Sequence, residues 1–176
     1  MLPQFALGRD IPEQGRAWLD IDELDDFSRE NRALSPWWMA VNTGFSQIRG
    51  GGKAIPDISK WIDGTLVLSP KAFDLLEEHL APFGEFLCVF NEGEKFCIFN
   101  CLTMVDADPK HSQLDEHDIP SQLEFTPEAT EGKLVFKTAF DGCYSLYCSN
   151  QFVDLIRQSM LTGIRFEENL TRLAYT

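Results

Sequence analysis

The sequence predicts an α+β fold in which an antiparallel sheet built from hairpins packs with two or three helices. Three observations predict it. Two pairs of apolar, strand-like runs each enclose a short turn, two amphipathic stretches carry helix-start signals, and 44% of the 176 residues are hydrophobic. A chain of this size can bury a sizeable core. We expect residues 55–176 to form the main domain, with residues 1–54 as an acidic and aromatic segment packed on it.

The N-terminal segment offers one helix and one aromatic pair. Apolar residues three apart in DIDELDDFSRENRAL, residues 20–34, predict a short acidic helix with one buried stripe. Trp37 and Trp38 follow Pro36, so in an extended segment one side chain would face inward and the other outward. Tryptophan often anchors protein interfaces. Trp37 and Trp38 are therefore candidate partner contacts, and the alternative is that both pack in the core.

The main domain opens with a strand and a helix. TLVL, residues 65–68, is a strand candidate, and Ser69 followed by Pro70 supplies the N-cap and the first-turn proline of a helix. Pro82 and Gly84 end that helix. The residues predicted to share its buried face are Phe73, Leu76 and Leu80.

The next stretch predicts a β-hairpin. FLCVF (86–90), the turn-forming NEGE (91–94) and KFCIFNCL (95–102) have the composition and spacing of two strands and a turn. Apolar side chains occur on both faces of the second strand, which is typical of a central strand covered on both sides. One face carries Cys97, Phe99 and Cys101, and the other carries Phe96, Ile98 and Leu102.

The remaining elements follow a long polar stretch, residues 109–132, which we interpret as an excursion from the sheet or an irregular loop. KLVFKTAF (133–140) and CYSLYCS (143–149), separated by Asp141 and Gly142, predict a second hairpin. Ser149 is the expected cap of a helix that runs to Leu161 with Phe152, Leu155 and Ile156 inward. Gly163 then precedes a terminal strand with Ile164 and Phe166 inward.

The cysteines predict a reducing environment and buried structural thiols, with a reactive thiol or a metal site as the alternatives. There are five, an odd number, and most lie in apolar strand-like sequence, as expected of free thiols in the cytoplasm. Cys97 and Cys101 would stand about 13 Å apart along one strand, too far to share one tetrahedral zinc. The first residues lack the pattern of a signal peptide, which also favours the cytoplasm.

The charge balance narrows the class of partner. The chain has 15 basic and 28 acidic residues, a net charge of −13, which repels nucleic acid and anionic lipid. We expect neither a nucleic acid nor a membrane as partner. Acidity serves solubility in many proteins, but it can also steer a protein toward a basic partner.

One stretch concentrates groups that could bind something. DADPKHSQLDEHD, residues 106–118, contains two histidines and five carboxylates. Its spacing fits neither an EF-hand nor a zinc motif. Three interpretations stay open: a solvated loop, a partner-binding loop, or the metal site of a hydrolase. The candidate partner contacts in this stretch are Asp106, Asp108, Asp115, Glu116 and Asp118.

The sequence gives less support to phosphate binding and to catalysis by a serine nucleophile. RGGGK, residues 49–53, fails the phosphate-loop pattern because Gln47 stands where glycine is needed and Ala54 where serine or threonine is needed. Binding of a small molecule by this loop, or by residues 106–118, is a further alternative. No GxSxG elbow is present. We therefore expect no cofactor and no enzymatic activity.

Four short motifs carry a family resemblance. They are LS-x-x-A at Leu68, Ser69 and Ala72, GEFL at 84–87, FN-x-L-x-x-VDA at 99–107, and LTGI-x-F at 161–166. Over about residues 55–170 the chain resembles the bacterial immunity-protein family of polymorphic toxin systems, first catalogued as a domain of unknown function. Tyrosines frequent in the family's second hairpin strand are replaced here by Phe96 and Cys97.

The resemblance implies a binding function rather than catalysis. Immunity proteins of this kind are cytoplasmic and occlude a toxin encoded beside them. A stoichiometric inhibitor needs no catalytic residues, and strong acidity would speed the capture of a basic toxin such as a nuclease. We therefore expect a cognate toxin as partner.

Overall fold

The computed structural model describes residues 4–9, 17–20, 31–36, 38–47 and 55–171. The α+β prediction is confirmed, since three helices and antiparallel, hairpin-like strands occur in these ranges. The helices are α1 (Pro70–Leu80), α2 (Pro127–Thr130) and α3 (Asn150–Gln158). The strands are β1 (Gln4–Arg9), β2 (Ala17–Asp20), β3 (Val41–Asn42), β4 (Gly44–Gln47), β5 (Ile58–Lys60), β6 (Thr65–Leu68), β7 (Gly84–Asn91), β8 (Glu94–Cys101), β9 (Gln113–Leu114), β10 (Pro120–Gln122), β11 (Val135–Phe136), β12 (Leu146–Ser149) and β13 (Ile164–Glu167).

Two larger sheets organise the described strands. A five-stranded sheet has the order β3-β7-β8-β6-β5, and a four-stranded sheet has the order β11-β12-β1-β13. Strand β1, from the N-terminal segment, lies between two strands of the main domain. The backbone links the two sheets where Ile58 N donates to Thr162 O at 2.9 Å and where Met104 bridges Lys137. The remaining pairs are β2 with β4 and β9 with β10.

The predicted strand and helix at the start of the main domain are confirmed. Strand β6 covers residues 65–68, and the Ser69 hydroxyl accepts from Ala72 N at 3.2 Å as an N-cap. Ala72, Leu76 and Leu80 are buried, while Phe73 is half-buried and meets Phe86 edge-on, with 5.2 Å between ring centroids.

The first hairpin is also confirmed. Its loop is Glu92 and Gly93, with φ of 51° and 86°, and two positive φ values identify a two-residue type I′ turn. Strand β8 lies between β7 and β6, and residues 96–101 are all buried. The expected central strand, covered on both faces, is therefore present.

The second hairpin is present in a shorter form than predicted. Only Val135 and Phe136 pair with β12, and the chain then leaves the sheet through a 3-10 turn at Ala139–Asp141. The loop returns around the buried Asp141, whose carboxylate holds the residues that begin the next strand. A buried acceptor thus replaces the simple two-residue turn expected at Asp141 and Gly142.

Two further predictions need correction. Helix α3 ends at Gln158 rather than Leu161, and Ser149 precedes it without a side-chain capping bond. Of the predicted acidic helix, Asp20 instead ends strand β2 and residues 31–34 are irregular, while 21–30 lie outside the described residues. The terminal strand β13 is confirmed, directly after Gly163.

Apolar residues gather in three clusters. The central core lies between the sheets and includes α1 and α3, with Leu66, Leu68, Phe99, Val135, Cys148 and Phe152 among its members. Alternate residues of the same strands point outward. They form an outer cluster on the five-stranded sheet (Trp61, Val67, Leu87, Val89, Phe96 and Ile98) and another on the four-stranded sheet (Val105, Leu123, Phe125, Phe136 and Tyr147). Within the described ranges, no helix has the length and apolar character to cross a membrane.

Candidate functional site

Residues 106–131, here called the acidic excursion, fold rather than form an irregular loop. They contain the hairpin β9–β10 and helix α2. Phe125 anchors them to the four-stranded sheet, with its ring centroid 5.0 Å from that of Phe136 and 5.3 Å from that of Tyr147. Just before the excursion, Val105 N donates to Lys137 O at 2.8 Å and ties the chain to the segment after β11, and within the excursion Asp108 N donates to Glu124 O at 2.8 Å. The excursion is therefore held in one orientation on the outer face of that sheet.

Asp108 shapes the first turn of the excursion. One carboxylate oxygen accepts from Lys110 N, and the other lies 2.8 Å from His111 Nδ1. The bond with His111 and the Lys110 N–H lower the pKa of Asp108, and the same contact raises the pKa of His111. Asp108 is thus occupied in local structure.

Asp115 likewise shapes the turn at the tip of the hairpin β9–β10. Its Oδ1 accepts from His117 N at 2.8 Å and from Ile119 N at 2.9 Å. The Ile119 and His117 N–H groups lower the pKa of the Asp115 carboxyl. Asp118 adopts a left-handed φ of 59° in this turn, a conformation that aspartate tolerates better than most residues.

The other candidates of the excursion present charge to solvent. Asp106, Glu116 and Asp118 are exposed, and the Glu116 side chain is 86% accessible. Residues 106–131 hold eight carboxylates and one lysine, a net charge of −7 out of −13 for the whole chain. Leu114 adds an exposed apolar side chain beside the acidic tip. The result is a fixed, strongly negative surface with an apolar spot.

The structure places Trp38 away from this surface. Its indole Nε1 donates to Cys88 O at 2.8 Å, and its half-buried ring packs on the outer cluster of the five-stranded sheet. The acidic excursion packs on the other sheet, so the structure does not bring these candidates together. Trp37 lies outside the described residues.

Within residues 4–9, 17–20, 31–36, 38–47 and 55–171, no group of three or more His, Cys, Asp or Glu side chains is arranged to hold an ion. His111 pairs with Asp108, and His117 lies 3.7 Å from Glu116. The two histidines of the excursion therefore each contact one carboxylate.

Sequence reasoning missed a polar latch on the five-stranded sheet. The Glu85 carboxylate accepts from Leu34 N at 2.6 Å, from Ser35 N at 2.8 Å and from Asn100 Nδ2 at 2.8 Å. Asn100 also donates to Arg32 O at 3.1 Å. Together they fasten residues 31–36, here called the strap, to strands β7 and β8. The available signal was an asparagine inside an otherwise apolar strand, because a buried amide needs partners.

A second polar centre was also missed. Asp141 is 4% exposed, and its Oδ2 accepts from Ser145 N at 3.0 Å and from Tyr147 Oη at 2.8 Å. Burial raises the pKa of this carboxyl despite those bonds. Among the described residues, neither Asp141 Oδ1 nor Ser145 Oγ has a hydrogen-bond partner. This centre shapes the loop between β11 and β12.

In comparisons with protein-family models and with curated proteins, the chain matches none of them. The candidate site therefore rests on the geometry and charge of the acidic excursion.

Proposed function

We propose that this chain is a cytoplasmic immunity protein that binds and neutralises a cognate toxin by stoichiometric occlusion. The observation that carries the proposal is the acidic excursion, which holds −7 of the net charge of −13 and is anchored to the four-stranded sheet. Its partner is a protein with a basic surface.

The rigidity of the excursion favours binding. The carboxylates of Asp108 and Asp115 accept hydrogen bonds from backbone N–H groups of their own turns. Because these bonds already order the turns, little chain entropy is lost when a partner docks. Asp106, Glu116 and Asp118 remain exposed to attract a basic surface from a distance. Such steering raises the association rate and weakens as salt screens the charges.

The motif residues behind the family resemblance have structural tasks in this fold. Ser69 caps α1, and Glu85 and Asn100 form the latch. A Cβ on Gly84 would collide with Asn100 O, and a Cβ on Gly163 would collide with Ile58 O. Motifs of this kind are those that proteins of one fold would share, and they support a common scaffold with a variable binding surface.

The biological test is co-expression with the product of the adjacent gene. We expect that product to be toxic alone and harmless when this protein is present, and the two purified proteins to form a complex of defined stoichiometry. A harmless neighbour, or toxicity that persists beside this protein, would contradict the proposal.

The binding surface is tested by charge reversal with a matched control. Asp106→Lys with Glu116→Lys changes two exposed carboxylates that take no part in holding the turns. We expect association with the toxin to slow about tenfold and to depend less on salt. The control, Glu78→Lys with Asp154→Lys, makes the same change in net charge on exposed positions of α1 and α3. Equal slowing by both pairs would refute this surface.

A further inference from the structure

The hairpin β7–β8 sets two cysteines directly opposite each other. Cys88 on β7 is the register partner of Cys97 on β8, and both are free thiols. We propose that Cys88 and Cys97 are a modification site, a dithiol that low-molecular-weight disulfides oxidise to a cross-strand disulfide. The site does not depend on the proposed function.

The register identifies the kind of pair. The two-residue turn makes its flanking residues, Asn91 and Glu94, a hydrogen-bonded pair. Because the pairs alternate along an antiparallel ladder, Cys88 and Cys97, three steps further, form a non-hydrogen-bonded pair. An independent contact agrees with this assignment. Cys88 O accepts from Trp38 Nε1, and so the carbonyl points away from β8.

That kind of pair brings two side chains closest together. Opposite Cα atoms of a non-hydrogen-bonded pair are about 4.5 Å apart and their side chains share one face. This spacing lies within the range of about 4.4 to 6.8 Å found for disulfides.

The other three cysteines lack such an arrangement. Cys101 faces Gly84 across the same hairpin, and Cys148 faces Val135 on β11. Cys143 lies in the loop after the 3-10 turn, with its Sγ 3.9 Å from Met104 Sδ. The proposed reaction is therefore specific to one pair out of five thiols.

The burial of the two thiols determines which of them reacts first with the oxidant. Cys88 is half-buried, whereas Cys97 is 3% exposed and close to the α1 carboxylates Asp74 and Glu77. Burial raises the pKa of Cys97 to about 11, although Lys95 opposes the shift and Glu77 adds to it. Cys88, as its thiolate, attacks one sulfur of glutathione disulfide, which forms a mixed disulfide and releases one glutathione thiolate. Cys97 then loses its proton and attacks the Cys88 sulfur, which forms the protein disulfide and releases the second glutathione.

The test uses the reduced, folded full chain. It is incubated with glutathione disulfide or with the cationic cystamine, since the Glu77 carboxylate is close enough to act on Cys97 and would repel an anionic reagent. Free thiols are alkylated and the protein is cut after Lys95, which separates the two cysteines. We expect free thiols to fall from five to three and the peptides bearing Cys88 and Cys97 to stay joined, about 2 Da lighter than their sum.

Two variants and one control make the outcome decisive. Cys97→Ala should stop at a stable mixed disulfide on Cys88, and Cys88→Ser, at a half-buried position, should leave Cys97 unmodified. Cys143→Ala should still form the disulfide. The proposal is overturned if the wild type keeps a stable mixed disulfide, if the joined peptides contain another cysteine pair, or if neither oxidant reacts with the folded chain.

Discussion

The Glu85 latch is the sharpest point at which to perturb this structure. Glu85→Ala removes the acceptor of Leu34 N and of Ser35 N and breaks one of the two bonds of Asn100 Nδ2. Glu85→Gln is milder, because one amide oxygen remains while the new NH2 group cannot accept from the second backbone N–H.

The magnitude follows from the three bonds. A hydrogen bond to a charged group contributes about 1.5 to 3 kcal/mol net when its donor is buried. Ser35 is exposed, and so water replaces the acceptor of its N–H at little cost, while Leu34 is half-buried and Asn100 fully buried. We expect the free energy of unfolding to fall by about 3 kcal/mol for Glu85→Ala and by about half of that for Glu85→Gln.

The assay is urea unfolding of both variants at neutral pH, with Glu94→Gln as the control at an exposed position of the same hairpin. Hydrogen exchange of the strap gives a local measure, since the Leu34 N–H loses its acceptor.

The stability that Glu85 contributes also depends on pH. Burial alone would raise the pKa of Glu85, but bonds from Leu34, Asn100 and Ser35 outweigh it and lower the pKa below its ordinary value of 4.5. The advantage of wild type over Glu85→Gln is therefore full above pH 4.5 and is lost as the pH falls through the lowered pKa.

One result would refute the reasoning. If Glu85→Ala unfolds at the same urea concentration as Glu94→Gln, and exchange in the strap is unchanged, the three bonds contribute nothing to the native state.

Two other predictions concern stability. Gly163 has a φ of 104°, and a Cβ added there would collide with Ile58 O and with Pro56. Gly163→Ala should therefore lower the free energy of unfolding by about 3 kcal/mol or more. Gly44→Ala is the control, because a Cβ there would meet open space, and it should change the free energy of unfolding by less than about 0.5 kcal/mol. Burial raises the pKa of Asp141, and the wild type therefore loses stability as pH rises from the ordinary value of 3.8 through the raised one. Asp141→Asn should abolish that dependence and lower the free energy of unfolding only slightly, because the amide oxygen can still accept from Tyr147 Oη. Asp141→Ala removes that acceptor and the acceptor of Ser145 N, and should lower the free energy of unfolding by about 2 to 4 kcal/mol. Equal losses in both variants, measured by urea unfolding, would contradict this role.

Local signals in the sequence predicted the elements that depend on local physics. The cap at Ser69 and the turn at Glu92 and Gly93 act within a few residues, so α1 and the hairpin β7–β8 could be read directly. Alternating apolar residues likewise predicted that β8 is covered on both faces. The acidic character of residues 106–118 was also visible, since charge needs no tertiary information.

Only the tertiary structure decided which distant groups meet. Glu85 and Leu34 are 51 positions apart in the sequence. No pattern of apolar and polar residues predicts that the Glu85 carboxylate accepts a hydrogen bond from the Leu34 backbone. The same applies to Asp141, whose burial bends the chain away from the predicted hairpin, and to Trp38, which packs on a different sheet from the acidic excursion. Sequence patterns encode which side chains must leave water, but the partner each polar group finds there depends on how the sheets pack.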